Sequence, residues 1–359
     1  MDPNTLIPTP DTIPAPSWLF IVLEQLLFLL HILVVNAVVG GFLILLFQRL
    51  FRKETENTTS WQQPIAKKLP ILVALGINFG IPPLLFLQVV YGHLFYSSSV
   101  LMATYWILII PVLILAYYGA YIHSAKFVNA PWFSKSALAV AAIFMLYIGY
   151  MLVNNNSLME QPEKWTAYFE NRSGTILNSA DVAFLPRYFH FIAASVAIGG
   201  LLFALVYKYG KTTGREMKEG KIKWALRVFA IATAIQMVVG FWYLLVIPAD
   251  FLPKFMGKDI FSTIFLMVGI FAGIGALVFG FLGNLKATIA HVLLTMVAML
   301  ITRYNLRMMY LGDNFQLTDL TMNPQYGVLI LFLVILLIGV GSIIYMLNIS
   351  STKSEGRVS

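Results

Sequence analysis

The chain contains no cysteine, and Asp, Glu, Lys and Arg together supply only 11% of its 359 residues. The first absence excludes disulfides, thiolate-held iron–sulfur clusters, a cysteine nucleophile and covalent c-type haem attachment. Histidine, methionine and carboxylate remain as metal-ligand types. The second absence excludes an ordinary soluble domain, in which about 25% of residues are charged. With 59% hydrophobic residues, the chain needs lipid as its solvent. Every backbone polar group in lipid must be satisfied internally, which leaves helices or a closed barrel. The apolar runs reach the ~20 residues of a spanning helix and are not the alternating segments of about ten that barrel strands give.

Nine spans are predicted, at 18–48, 69–92, 101–124, 134–154, 184–207, 225–247, 261–282, 287–309 and 326–348. The net charge of +8 would point to nucleic acid in a soluble protein. Here the basic residues sit in short connections and orient the chain in the bilayer. One set of alternate connections (49–68, 125–135, 208–227, 283–288 and 350–359) holds 17 of the 24 Lys and Arg, including Arg52, Lys53, Lys211 and Arg357. The other set holds seven, and the positive-inside rule puts the richer set in the cytoplasm. The expected protein is therefore an all-α integral membrane protein with its N-terminus outside and its C-terminus inside. Residues 1–17, with five prolines and no basic residue, read as an outer extended tail. Residues 155–183 read as an outer amphipathic segment carrying Glu160, Glu163 and Trp165, with Ser179 and Asp181 as helix-start residues. Residues 349–359 read as a cytoplasmic tail.

A repeat is written into the spans. His31 precedes the pair Gly40-Gly41 by nine and ten residues, and His190 precedes Gly199-Gly200 by the same spacing. His31 to Arg49 and His190 to Lys208 are both 18 residues, so both histidines stand about 27 Å from the basic edge. Met267, 19 residues before Lys286, falls in the same layer. Residues 18–154 and 184–309 then form two parallel four-helix bundles, with the ninth helix extra. His with Met is one axial pair for haem iron, and Ala193, Ala194 and Ala197 leave room beside His190. A hydrogen-bonding histidine and a packing methionine are the alternative reading.

These segments resemble the large subunit of cytochrome bd quinol oxidases. LEQLLFLLHILVVNAVVGG in span 1, LGINFGIPPLLFLQ in span 2, YMLVNNNSLMEQPEKW after span 4, YFHFIAASVAIGG in span 5 and IFLMVGIFAGIG in span 7 carry the likeness. The resemblance implies low-spin haem b between His190 and Met267 and a second haem at His31. The chain also departs from that family. Span 3 has no carboxylate, span 8 ends in ITRYNLRMMYLG without the family's Glu and GRxPW motif, Phe265 replaces an arginine, and the long quinol loop shrinks to IPADFLPKFMGKDI. These departures remove the proton-supplying residues of oxygen reduction.

The function expected is a haem b-containing membrane subunit of an electron-transfer complex in the bacterial inner membrane. It oxidises membrane quinol and passes electrons to a periplasmic c-type cytochrome, alongside other membrane subunits, with one to three haems and no nucleic-acid partner. The competing readings are a bd-type quinol:oxygen oxidoreductase with rearranged ligands and a haem-free transporter or scaffold. Glu24, seven residues before His31, is the expected proton acceptor from quinol, since a carboxylate inside a span is a functional candidate by default. Arg187, Arg303 and Arg307 are expected near the haem layer, the first two as partners of haem propionates and Arg307 rather as a snorkelling residue. His93 reads as a surface residue or a second ligand at His31; His123 and His291 read as helix-end polar residues or ligands of an inner haem. Asp250 and Lys254 are candidates for the quinol edge, and Pro82-Pro83 should break the hydrogen-bond ladder of span 2.

Overall fold

A computed structural model describes residues 3–51, 55–210 and 215–355. Arg52, Lys53, Lys211 and Arg357 of the expected basic edge lie outside the described residues, as do the outermost residues of both tails. Within the described residues the fold is all-α. Nine helices are long and apolar enough to cross a membrane. They are α1 (Ser17–Phe51), α2 (Glu56–Leu101), α3 (Ala103–Ala125), α4 (Pro131–Glu160), α5 (Phe184–Tyr209), α6 (Arg215–Val246), α7 (Ile260–Phe281), α8 (Leu285–Leu311) and α9 (Tyr326–Glu355). Among the described residues a single β-bridge, Ile13 with Met322, ties the N-terminal segment to the approach to α9.

The predicted spans fall on these helices, but α2, α4, α6 and α9 run further than hydropathy foretells. α2 begins at Glu56 because its polar first turns are packed: Trp61 is buried edge-on to Tyr207 of α5, and Gln62 donates to Gln48 of α1 at 3.2 Å. α4 continues through Asn154–Glu160 because each polar side chain there finds a partner inside the protein. Asn155 donates to Ser99, Asn156 to Glu160, and Ser157 accepts from Asn178. The expected amphipathic segment thus divides into the end of α4, a 3-10 helix at Pro162–Phe169 and an irregular return to α5. Asp181 accepts from the Ala183 N–H at 2.8 Å just before α5, as a helix-start residue should. α2 stays helical through Pro82-Pro83, and its one non-helical residue is Tyr91 (φ −117°, ψ 22°).

α1 to α4 close on themselves: α1 packs on α2 and α4, and α3 on α2 and α4. In the second set α5 packs on α6, α6 on α7 and α7 on α8, but α8 forms no packed interface with α5 and instead touches α1 and α4. The two sets meet chiefly along α1 and α5. There a Cβ on Gly40 would strike the Ser195 carbonyl, and a Cβ on Gly199 would lie 2.8 Å from the Gly40 Cα. The second glycine of each pair faces its own set, Gly41 with Leu202 of α5 beside it as well. Gly41 faces Leu69 of α2, and Gly200 faces Ala225 and Phe229 of α6. Hydrophobic side chains elsewhere point outward in large numbers, as lipid-facing helices require. α9 is the extreme: its best window has mean hydropathy 3.0 and none of it is buried.

Candidate functional site

The end of the bundle that carries the start of α1 also carries the ends of α2, α4, α6 and α8 and the start of α5. Each contributes a polar side chain to one buried cluster. Arg307 of α8, fully buried, donates from Nη1 to Glu24 Oε1 of α1 at 3.1 Å, and its Nε lies 3.6 Å from Glu160 Oε1 of α4. Arg187 of α5 donates from Nη1 to Glu160 Oε2 at 2.8 Å and from Nε to the Tyr243 hydroxyl of α6 at 2.8 Å. Asn156 of α4 sits at the centre. Its Oδ1 accepts from Arg303 and from Arg307, each at 3.3 Å, and its Nδ2 donates to Glu160 at 2.8 Å. Rings shield the guanidinium groups: Tyr91 under Arg307 at 5.2 Å, Phe28 under Arg303 at 4.4 Å, and Tyr243 and Tyr310 beside Arg187. The non-helical backbone at Tyr91 places that ring, whose hydroxyl reaches the Met308 sulfur.

Every acid of this cluster comes from the first four helices and every arginine from the second four. A charge taken out of water must be paired and hydrogen-bonded, so the cluster ties the two halves together at this end. Arg307 does not snorkel: its exposure is 0% and both its carboxylate partners are 3% exposed. Burial is possible because two carboxylates and an amide oxygen meet its fork. Glu160 has no place in the sequence reading beyond the outer segment, and it is the second intramembrane-type carboxylate beside Glu24. The hint in the sequence was the run Asn154-Asn155-Asn156-Ser157 just before it, which has too many hydrogen-bonding groups for a lipid-facing helix end.

The two histidines of the repeat lie below the cluster, His31 two turns from Glu24 and His190 one turn from Arg187. Phe28, under Arg303, is also 6.4 Å from the His31 ring, and Arg187 is three residues before His190. Both imidazoles rest on a glycine of the following helix: His31 on Gly80 of α2, His190 on Gly240 of α6. The His31 Nδ1 lies 2.9 Å from the Gly76 carbonyl oxygen. That bond puts the ring proton on Nδ1 and leaves the Nε2 lone pair available, the arrangement seen in metal-bound histidines. His190 Nε2 is 3.3 Å from the Gln236 amide nitrogen, and its Nδ1 is buried with no partner. Buried polar atoms without partners are uncommon. His31 can therefore offer a lone pair at Nε2, whereas His190, whose Nε2 accepts from the Gln236 amide, carries its proton on the unpartnered Nδ1 and frees a lone pair for a metal only when that hydrogen bond is given up.

Met267 is not joined to His190 by a direct contact. It packs against the small cluster of Ile247, Phe255, Leu266 and Leu306. His93 is half-buried against Phe315 (5.2 Å) at the end of α2 and makes no contact with His31. His123 is no loose helix-end residue: it is fully buried, with Nδ1 3.0 Å from the Ser134 carbonyl oxygen, and Arg49 donates to the same serine's hydroxyl. His291 rests on Gly275 of α7, with Nδ1 2.9 Å from the Ala287 carbonyl oxygen, and α3 and α8 do not pack together to bring it to His123. Asp250 is exposed and Lys254 lies 5.7 Å from the Phe251 ring, in the short connection before α7. Among the described residues no three His, Asp or Glu side chains converge as a metal site. No model of a known protein family matches this chain, and no curated protein matches it.

Proposed function

We propose that this chain is the haem b-bearing membrane subunit of an electron-transfer complex, a divergent and shortened relative of the cytochrome bd large subunit. In this reading it sits in a bacterial inner membrane with its N-terminus on the periplasmic side. There it oxidises quinol and delivers electrons to a periplasmic c-type cytochrome, next to other membrane subunits. Bound haem b supplies a one-electron redox centre. The observation that carries the reading is His31, whose Nδ1 is held by the Gly76 carbonyl so that its Nε2 lone pair is left for a ligand, at the position of the repeat that matches His190, one turn from Arg187.

The chain's own residues divide the work. His190 and Met267 would hold one haem b and His31 would hold a second. Gly240 and Gly80 leave space for the two rings, and the Gly76 carbonyl fixes the His31 tautomer. Arg187 and Arg303 provide positive charge where the macrocycle's carboxylates lie. Quinol oxidation releases two protons with its two electrons, and Glu24 is the acceptor closest to the histidine layer on α1. Arg307 holds the Glu24 carboxylate in place.

The test is optical redox titration of the purified protein with haem extraction. The expected result is a haem b spectrum whose low-spin component disappears in His190→Ala. A folded but colourless preparation overturns the reading. Glu24→Gln should slow quinol oxidation and alter its pH profile; an unchanged profile removes Glu24 from the proton path.

A further inference from the structure

We propose that the buried cluster contains a binding site for one monoanion of carboxylate type, on the Nη1 side of Arg303. The argument is one of charge and of hydrogen-bond capacity. Three guanidinium groups, those of Arg187, Arg303 and Arg307, face two carboxylates, those of Glu24 and Glu160. An arginine does not deprotonate in a protein, so the cluster holds one positive charge in excess. The pairings show which arginine carries it. Arg307 has Glu24 and Glu160, and Arg187 has Glu160 and the Tyr243 hydroxyl. No carboxylate lies within ion-pair distance of Arg303 among the described residues.

Arg303 spends one hydrogen bond on Asn156, at 3.3 Å from Nη2, and lays its plane on the Phe28 ring. Its Nη1 is buried and has no partner. Arg303 as a whole is only part-buried, but a guanidinium nitrogen sealed from water without an acceptor is costly. A planar fork with one side already fixed is geometrically suited to a carboxylate, which it binds through parallel N–H donors. The charge excess limits the ligand to a single negative charge. Asn156, whose oxygen serves Arg303 and Arg307 together, is the positioning residue that keeps the Nη1 side turned away from the two glutamates.

The carboxylate has two possible sources: a carboxyl group of the bound cofactor or a free monocarboxylate from solution. Only the first rests on the haem reading. It sharpens that reading, because the Arg187 charge already faces Glu160, whereas Arg303 has no carboxylate partner of its own among the described residues.

The experiment uses the full chain in detergent, before and after haem extraction. The unfolding temperature is titrated with sodium acetate at an ionic strength held constant with sulfate. Cofactor-free wild type should show a saturable rise. Arg303→Gln should weaken acetate binding roughly 10- to 100-fold, the equivalent of one charge-assisted hydrogen bond. Without acetate it should unfold no lower than wild type, because it removes an unpaired charge, whereas Arg307→Gln should unfold lower. Arg303→Lys, which keeps the charge, should keep a weakened response. If the cofactor is the source, acetate stabilises only the extracted protein, and Arg303→Gln sheds haem faster than wild type. The proposal is overturned if cofactor-free wild type ignores acetate, or if Arg303→Gln unfolds as low as Arg307→Gln. A chain that never carries haem overturns the cofactor reading alone, and the acetate titration then decides the anion site by itself.

Discussion

Ser195 Oγ donates to Asn36 Oδ1 at 3.0 Å, and the two residues hold equivalent places in the repeat, each five residues after its histidine. Four residues further on, Gly40 and Gly199 are in backbone contact. Matched positions of the two halves thus meet one another where α1 crosses α5. The Ser195 hydroxyl also lies 2.9 Å from the Phe191 carbonyl oxygen one turn back, so its single proton has two acceptors. This polar pair and the close glycine contact below it register the halves without any charge at mid-span.

The glycine contact gives the first prediction. In an exposed helix, Gly→Ala stabilises by about 1 kcal/mol. At Gly40 the added methyl would meet backbone atoms of Ser195 and Gly199, which cannot rotate away. Overpacking of that kind costs about 1–3 kcal/mol, so the clash wins. Gly40→Ala and Gly199→Ala should lower the unfolding temperature in detergent, while Gly339→Ala on α9, where a Cβ meets nothing, should not.

Asn36→Leu should cost less. Ser195 keeps Phe191 as an acceptor, and interhelical hydrogen bonds in membranes average about 0.6 kcal/mol. A double-mutant cycle with Ser195→Ala measures the pair. A coupling above about 2 kcal/mol, beyond the range seen for such bonds, would mean that the polar pair organises more of the interface than its own contact.

Breaking the ion cluster should be far more damaging than dissolving it. Arg307→Gln leaves Glu24 buried and strips one partner from Glu160, and loss of one member of a buried pair costs about 3–5 kcal/mol. The double variant Glu24→Gln with Arg307→Gln should be less destabilised than the sum of the singles, since each removes the penalty the other creates. Denaturation of the four species in the same detergent checks it. Additivity would show that the two residues do not share their burial cost.

A pH effect is expected at the start of α7. Asp259 accepts from the Ser262 hydroxyl at 2.6 Å and from the Phe261 N–H at 3.1 Å. The Ser262 hydrogen bond, ahead of the backbone N–H groups and Lys254, holds its carboxyl below the usual aspartate range. A carboxyl depressed in the folded state stabilises the fold above its unfolded pKa of about 3.9, and that contribution disappears as pH falls through the folded value. Asp259→Ala should therefore unfold earlier than wild type at neutral pH and converge with it in strong acid. A gap that persists unchanged in acid would mean that the carboxylate's charge is not what caps the helix.

The amino-acid sequence by itself determined the nine apolar helices and the matched register of His31 and His190. The reason is that an apolar run of bilayer length has one way to satisfy its backbone, and a Gly pair at a fixed distance from a His fixes a register. It also pointed to Arg187, Arg303 and Glu24 as residues of one end. What it left open was how the polar residues at that end pair. Glu160 read as part of an outer amphipathic segment and Arg307 as a snorkelling side chain, because a charge near a helix end has water in reach until its neighbours are known. Asn156 was only one letter of a polar run. Tertiary structure decided all three, since it alone brings α1, α4, α5 and α8 to a common point. There the acids of one half meet the bases of the other, and one arginine is left over.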